Sequence, residues 1–168
     1  MGADKANVPV RGVPMARLVA DALVAGGCER VVAVGGAVGD HGLEVVDDLA
    51  PGEGPLGAVL SVLESARGGA GHSSVFVVSC DLPLLDGATV ATLLARAAAA
   101  DVDLVVATTD RTQPLVAVWS SRSIEPVRRA FDGGERSIRR VVPLLDVAFV
   151  PVAPDTVRNV NTPADVPD

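Results

Sequence analysis

Short β-branched runs alternate with longer amphipathic stretches along this chain, and that alternation limits its fold more than any other feature. Residues 30–35 (RVVAVG) read as a buried strand ended by glycines. Residues 74–80, 103–108 and 115–119 read as three more, and 147–150 as an edge strand stopped by Pro151. Residues 14–25 place Leu18, Val19, Ala22 and Leu23 on one helical face before a Gly26-Gly27 stop. Residues 57–66 and 88–100 repeat that pattern, and two shorter helices at 123–130 and 137–142 each open on a serine expected to be an N-cap. Apolar strands alternating with helices predict an α/β fold, Rossmann-like, with a mostly parallel sheet covered on both faces. No repeat, low-complexity stretch or linker interrupts it, so residues 1–168 are expected to form a single domain.

The start breaks the pattern. About a dozen residues rich in Gly, Pro and polar groups precede the first helix, with no strand among them. In a doubly wound sheet the first strand lies centrally, and the loop after it forms the ligand crevice. Without it, two neighbouring strands lack a shared hydrogen-bonding partner.

Composition excludes several functions. A net charge of −7 and 2% aromatic residues argue against nucleic acid as a partner. No apolar run approaches the roughly 18 to 20 residues that cross a membrane, and residues 1–12 lack the apolar core of a signal peptide. Cys28 and Cys80 stand apart and read as core residues of a cytoplasmic protein. Thirteen of the 14 basic residues are Arg, which leaves Lys5 as the one lysine. A lone lysine either survives by chance or marks a place that needs a compact ammonium.

Three segments carry candidate chemistry. Asp81 follows the strand at 74–80 and precedes Leu82-Pro83, so it sits at a strand's carboxyl end, where open α/β sheets bind ligands. A carboxylate there suits Mg²⁺, which uses one or two protein carboxylates and fills its octahedron with phosphate and water. Asp47 and Asp48 precede Gly54-Pro55-Leu56-Gly57, whose glycines open a helix toward an acceptor-rich ligand. Asn159-Val160-Asn161-Thr162-Pro163 reads as a loop before a helix, with amides able to bind a metal or a phosphate, or simply to cap. His41 and His72 lie in Gly-rich stretches and read as solvated loop residues, and no nucleophile elbow supports hydrolase chemistry.

Together these segments resemble one family. Met1-Gly2-Ala3-Asp4-Lys5 is similar to the end of the nucleotide loop of molybdenum cofactor guanylyltransferases, whose fuller pattern is LAGGxSxRMGxDK. Gly54-Pro55-Leu56-Gly57, Cys80-Asp81-Leu82-Pro83, Gln113-Pro114-Leu115, Gly134-Glu135-Arg136 and Asn159-Val160-Asn161-Thr162-Pro163 follow in the family's order. The resemblance implies Mg²⁺-dependent transfer of GMP from GTP to molybdopterin, with GTP, the molybdopterin cofactor and proteins that deliver or accept it as partners. It implies that Lys5 contacts the nucleotide's phosphates, Asp81 ligates the metal, and Asp48 binds the guanine nucleotide. Asn161 falls to the metal and acceptor side, and Arg136 to the acceptor. Two departures stand out. The sequence begins inside the loop, so the expectation is a translation start further upstream. Val34-Gly35-Gly36 stands where the family often has a polar residue. A CTP-dependent molybdopterin enzyme, a 2-phospholactate guanylyltransferase and a non-catalytic nucleotide-binding relative are the competing readings.

Overall fold

The computed structural model of the protein describes residues 5–35, 42–67, 74–161 and 165. A 3₁₀ turn at Lys5–Asn7 leads into β1 (Pro9–Val10) and β2 (Val13–Pro14), an antiparallel pair joined by Arg11 and Gly12, both at positive φ. That turn is the hairpin type whose twist matches its strands. It places two short strands where the sequence predicted none. Then follow α1 (Met15–Ala25), β3 (Val32–Val34), β4 (Glu44–Val46), α2 (Pro55–Ala66) and β5 (Ser74–Val78). The rest comprises α3 (Gly87–Ala99), β6 (Leu104–Thr108), β7 (Thr112–Ser120), α4 (Ile124–Asp132), α5 (Ile138–Val141) and β8 (Val147–Pro151).

The main sheet runs β5-β7-β6-β8. β7 is antiparallel to both of its neighbours, while β6 and β8 are parallel, so β5, β6 and β8 point one way and β7 reverses. The sheet is therefore mixed. Three residues join β6 to β7, far fewer than the dozen or so that a parallel crossover needs. Pro114, which has no N–H to donate, sits where the β6–β7 register shifts. β8 is an edge strand, as expected, although Pro151 pairs with Thr108 inside it.

Period-two alternation splits the side chains between two cores. Val105, Ala107, Val116 and Val118 face α1 and α3, packing with Val19, Leu23, Val90 and Leu93. Leu104, Val106, Ala117 and Trp119 face the other way, onto α2, α4 and α5 through Leu56, Leu63, Val127 and Val141. Each buried Val or Leu side chain contributes about 1.5–3 kcal/mol on full burial.

Helix ends follow local chemistry, with one correction. α1 stops as expected: Gly27 takes φ +105° and Cys28 N–H donates to the Leu23 carbonyl at 3.0 Å. Asp86 caps α3 by accepting from Thr89 N–H at 2.7 Å. Neither Ser123 nor Ser137 caps its helix through its side chain. The Ser123 hydroxyl instead donates to the Ser120 carbonyl, and Glu135 supplies the acceptor ahead of α5. Neither Cys28 nor Cys80 forms a disulfide among the described residues, and burial pushes the Cys28 thiol up. Among the described residues no helix is long and apolar enough to cross a membrane.

The strand read at residues 30–35 differs most from expectation. It shortens to β3, pairs in parallel with β4, and stays half-buried rather than buried. Among the described residues no ladder joins this small sheet to the main one.

Candidate active site

β5 delivers the centre of the site. Beyond Val78 the chain turns through Cys80 and Asp81 at the end where the parallel strands β5, β6 and β8 finish. Asp81 is 9% exposed, and a carboxylate so buried needs partners. Its Oδ1 accepts from the Ser79 hydroxyl, its Oδ2 from the Asn159 side-chain amide at 3.3 Å, and its main-chain carbonyl from Val160 N–H at 2.9 Å. Ser79 lies just past the end of β5, and the turn through Cys80 and Asp81 brings the Asp81 carboxylate back to its hydroxyl.

Chain segments remote in sequence complete the cluster. Lys5 Nζ lies 3.8 Å from Asp81 Oδ2 and donates to Asn161 Oδ1 at 2.6 Å. Val160 explains how the amides arrive. Its side chain is fully buried with Val10 and Met15, which turns the flanking Asn159 and Asn161 outward toward Lys5 and Asp81. The Lys5 side chain is about half exposed, so this ammonium contributes little to stability and remains available to a ligand.

Asp81 and Asn161 offer hard oxygen donors, and one Asp81 oxygen meets only the long contacts at 3.3 and 3.8 Å. Among the described residues no group of three His, Cys, Asp or Glu gathers to form a dedicated cage. A divalent cation that keeps water and substrate phosphate in its shell fits such a donor set.

The other expected site residues lie in two neighbouring structures. Asp48 follows β4, and its Oδ1 accepts from Ala50 N–H at 3.0 Å and from the Ser61 hydroxyl at 3.3 Å, which ties it to α2. Asp47 is exposed beside it. Gly54, at φ +82°, opens α2, and a Cβ there would lie 3.5 Å from the Arg136 carbonyl. Arg136 is held locally: its guanidinium pairs with Glu53, donates to the Phe131 and Glu135 carbonyls at 2.7 and 2.9 Å, and stacks 4.0 Å from the Phe131 ring centre. Glu135 shapes this turn by accepting from Ser137 and Arg136 N–H, which holds its carboxyl below the usual range. No contact among the described residues joins Asp48 or Arg136 to the Lys5–Asp81–Asn161 cluster.

Sequence reasoning missed Ser79 and Asn159 as individual site residues. The alternation in SCD and NVN was the available signal. Met1 to Asp4 of the loop motif, Gly36, His41, His72, Thr162 and Pro163 lie outside the described residues.

Comparison with known proteins points the same way as the geometry. Residues 1–148 match the family described as the MobA-like NTP transferase domain. A probable molybdenum cofactor guanylyltransferase from Opitutus terrae is 32% identical over 148 residues, which cover 86% of this chain and 72% of that protein. Among solved structures, molybdopterin-guanine dinucleotide biosynthesis protein A from Archaeoglobus fulgidus superposes with a TM-score of 0.76 at 21% identity, over 98% of this chain and 87% of that one. Rv0371C from Mycobacterium tuberculosis in complex with manganese superposes with a TM-score of 0.67 at 18% identity, over 90% and 83% of the two chains.

Proposed function

From the premise that this chain belongs to the MobA-like NTP transferase family and is a nucleotidyltransferase, we propose that it moves GMP from GTP to the phosphate of molybdenum-bearing molybdopterin in the cytoplasm. One observation carries the reading. An ammonium, a carboxylate and two amides from three remote segments converge at the mouth of β5.

In this reading an acceptor phosphate oxygen bonds to the α-phosphorus while the bond from that phosphorus to the bridging oxygen breaks, and pyrophosphate leaves. The acceptor is already anionic near neutral pH, so no general base is needed. The barrier is therefore mostly positional and electrostatic. Lys5 neutralises charge on the departing pyrophosphate. Asp81 and Asn161 would hold Mg²⁺, which when bound supplies charge neutralisation on phosphate oxygens. Asn159 and Ser79 fix the carboxylate's direction. Asp48 serves the guanine nucleotide in the same reading, and Arg136, through its loop against Gly54, the acceptor.

Pyrophosphate release with molybdopterin and GTP, CTP or ATP is the test. GTP alone should support turnover in the presence of Mg²⁺. Asp81→Ala should lower the rate roughly 10²- to 10³-fold, the scale of losing one preorganised electrostatic group. Asp81→Asn, which keeps the hydrogen-bonding shape, should fold normally and still be impaired. Normal transfer by either variant overturns the assignment, and preference for CTP overturns the choice of nucleotide.

A further inference from the structure

Ser61, in the middle of α2, is 1% exposed and makes more hydrogen bonds than its place in a helix requires. A helical hydroxyl can simply donate to the carbonyl four residues back, as Thr92 does to Ala88 on α3 at 2.8 Å. Ser61 makes that bond to the Gly57 carbonyl at 2.9 Å. Its oxygen also accepts from Leu49 N–H at 2.9 Å and stands 3.3 Å from Asp48 Oδ1. One hydroxyl proton cannot serve the carbonyl and the carboxylate fully, so the firm link to the turn at 48–50 is the Leu49 amide.

Packing fixes that turn from both sides. Ala50 N–H donates to Asp48 Oδ1 at 3.0 Å. A Cβ on Gly57 would lie 3.1 Å from Ala50 Cβ, so glycine there lets the turn lie close against α2. Opposite, a Cβ on Gly35 would lie 3.2 Å from Asp48 Cβ and 3.8 Å from its Oδ2. Asp48 is therefore held between the end of β3 and α2, with Oδ1 toward α2 and Oδ2 beside the bare backbone of Gly35. The hydrogen bonds that its carboxylate takes from described residues all go to Oδ1. Gly35 and Asp48 follow the parallel strands β3 and β4 at their carboxyl ends, the side on which open α/β sheets take ligands.

We infer that Ser61 is a positioning residue of the nucleotide site. It locks the Asp48 turn onto α2, so that Oδ2 alone is offered, beside Gly35, to one N–H or O–H of the nucleoside. Ser61 is buried behind the turn and touches no ligand itself. An acceptor held in place before binding avoids the ordering cost that a free surface aspartate would incur. This role rests on the nucleotidyl-transfer reading, in which Asp48 serves the nucleotide.

Calorimetric titration of GTP with Mg²⁺ into the whole chain tests it, on a cycle of Ser61→Ala and Asp48→Ala. Asp48→Ala should weaken binding roughly tenfold, and Ser61→Ala roughly three- to tenfold, the scale of one hydrogen bond. Added to Asp48→Ala, Ser61→Ala should cost less than about twofold more, because its effect passes through a carboxylate already removed. In pyrophosphate release the Ser61→Ala loss should fall on KM for GTP and leave kcat within about twofold. Exchange of the Leu49 amide should quicken at least about tenfold in Ser61→Ala, while that of Val106 stays unchanged, the mark of a folded chain with a released turn. Ser61→Cys, close in volume but weaker in hydrogen bonding, should fall between wild type and Ser61→Ala. Equal weakening by Ser61→Ala in both backgrounds would assign Ser61 to core packing and overturn the role, as would an unaltered Leu49 amide. If Asp48→Ala weakens GTP binding and Ser61→Ala does not, the positioning role fails alone. If the wild-type chain binds no GTP, or Asp48→Ala binds it normally, the nucleotide reading of Asp48 fails and takes the positioning role with it.

Discussion

β6 and β5 are both short apolar strands rich in valine, LVVAT against SVFVV, yet they live in different surroundings. β6 has β7 on one side and β8 on the other, and Leu104, Val105, Val106 and Ala107 are at most 1% exposed. Among the described residues β5 pairs with β7 alone, and its residues from Val75 to Val78 stay half-buried. Apolar pattern therefore sets what a strand can bury, while the number of neighbours sets what it does bury. The same contrast separates the candidate site from its framework. The closed half is built around β6, paired on both sides. The open half carries the carboxyl end of β5, where Asp81 meets Lys5 and Asn161.

The sharpest way to break this contrast is to make the same truncation in both strands. Val106→Ala should cost about 2 to 3 kcal/mol, from two buried carbons plus the cavity they leave. Val78→Ala should cost less than about 1 kcal/mol, because its site is only partly withdrawn from water. Urea midpoints at unchanged slope give both values. Equal losses would mean that β5 is as closed as β6 in solution.

A smaller effect tests the closed half itself. Trp119 Nε1 is the one buried side-chain nitrogen or oxygen without a hydrogen-bond partner among the described residues. Leaving such a donor unpaired costs about 1–3 kcal/mol. Trp119→Phe loses packing but also removes that orphan, so its net cost should stay below about 1 kcal/mol. A loss above about 3 kcal/mol in urea unfolding would show that the indole nitrogen is satisfied after all.

Much of the closed half could be read directly, and much of the open half could not. Spans 103–108, 115–119 and 147–150 correspond to β6, β7 and β8: β6 and β7 pack apolar side chains on both faces and β8 buries Ala148 and Val150 on one, which runs of Val and Ala record. Residues 14–25 became α1 because their helical spacing puts the apolar residues on one face, which the core buries. What escaped was pairing and direction. The six residues between Thr108 and Leu115 leave no room for a crossover helix, and that spacing was the missed sign that β7 reverses. β1, β2 and β4 were missed because strands of two or three residues carry too little pattern. At the site, Asp81 and Asn161 were legible as polar residues at element ends and Lys5 as the one lysine, and the structure brings them together. Asp48 was legible before its helix and Arg136 only through the resemblance, and their contacts are spent on α2 and on the turn before α5. Sequence names polar groups at loop ends; it does not say which of them a fold has already engaged.

The weakest link in the open half gives the smallest and most diagnostic effect. Across β3 and β4, Arg30 forms a bidentate pair with Glu44, both side chains more than half exposed. The hydrogen bond from Arg30 holds the Glu44 carboxyl below its ordinary value and raises Arg30 above its own. A depressed carboxyl stabilises the folded state above the unfolded glutamate value of about 4.3, and that contribution disappears as pH falls through the folded value. The pairing of β3 with β4 should therefore loosen in acid before β6 and β7 do, and Glu44→Gln should abolish the difference. Carboxyl titration by NMR, followed alongside the Val45 and Val46 amides, reads this directly. High salt should shrink the effect, since exposed pairs are screened. If β3–β4 keeps its protection below pH 4 while β6 loses it, the two halves have been ranked in the wrong order, and the small sheet owes its stability to something other than its exposed ion pair.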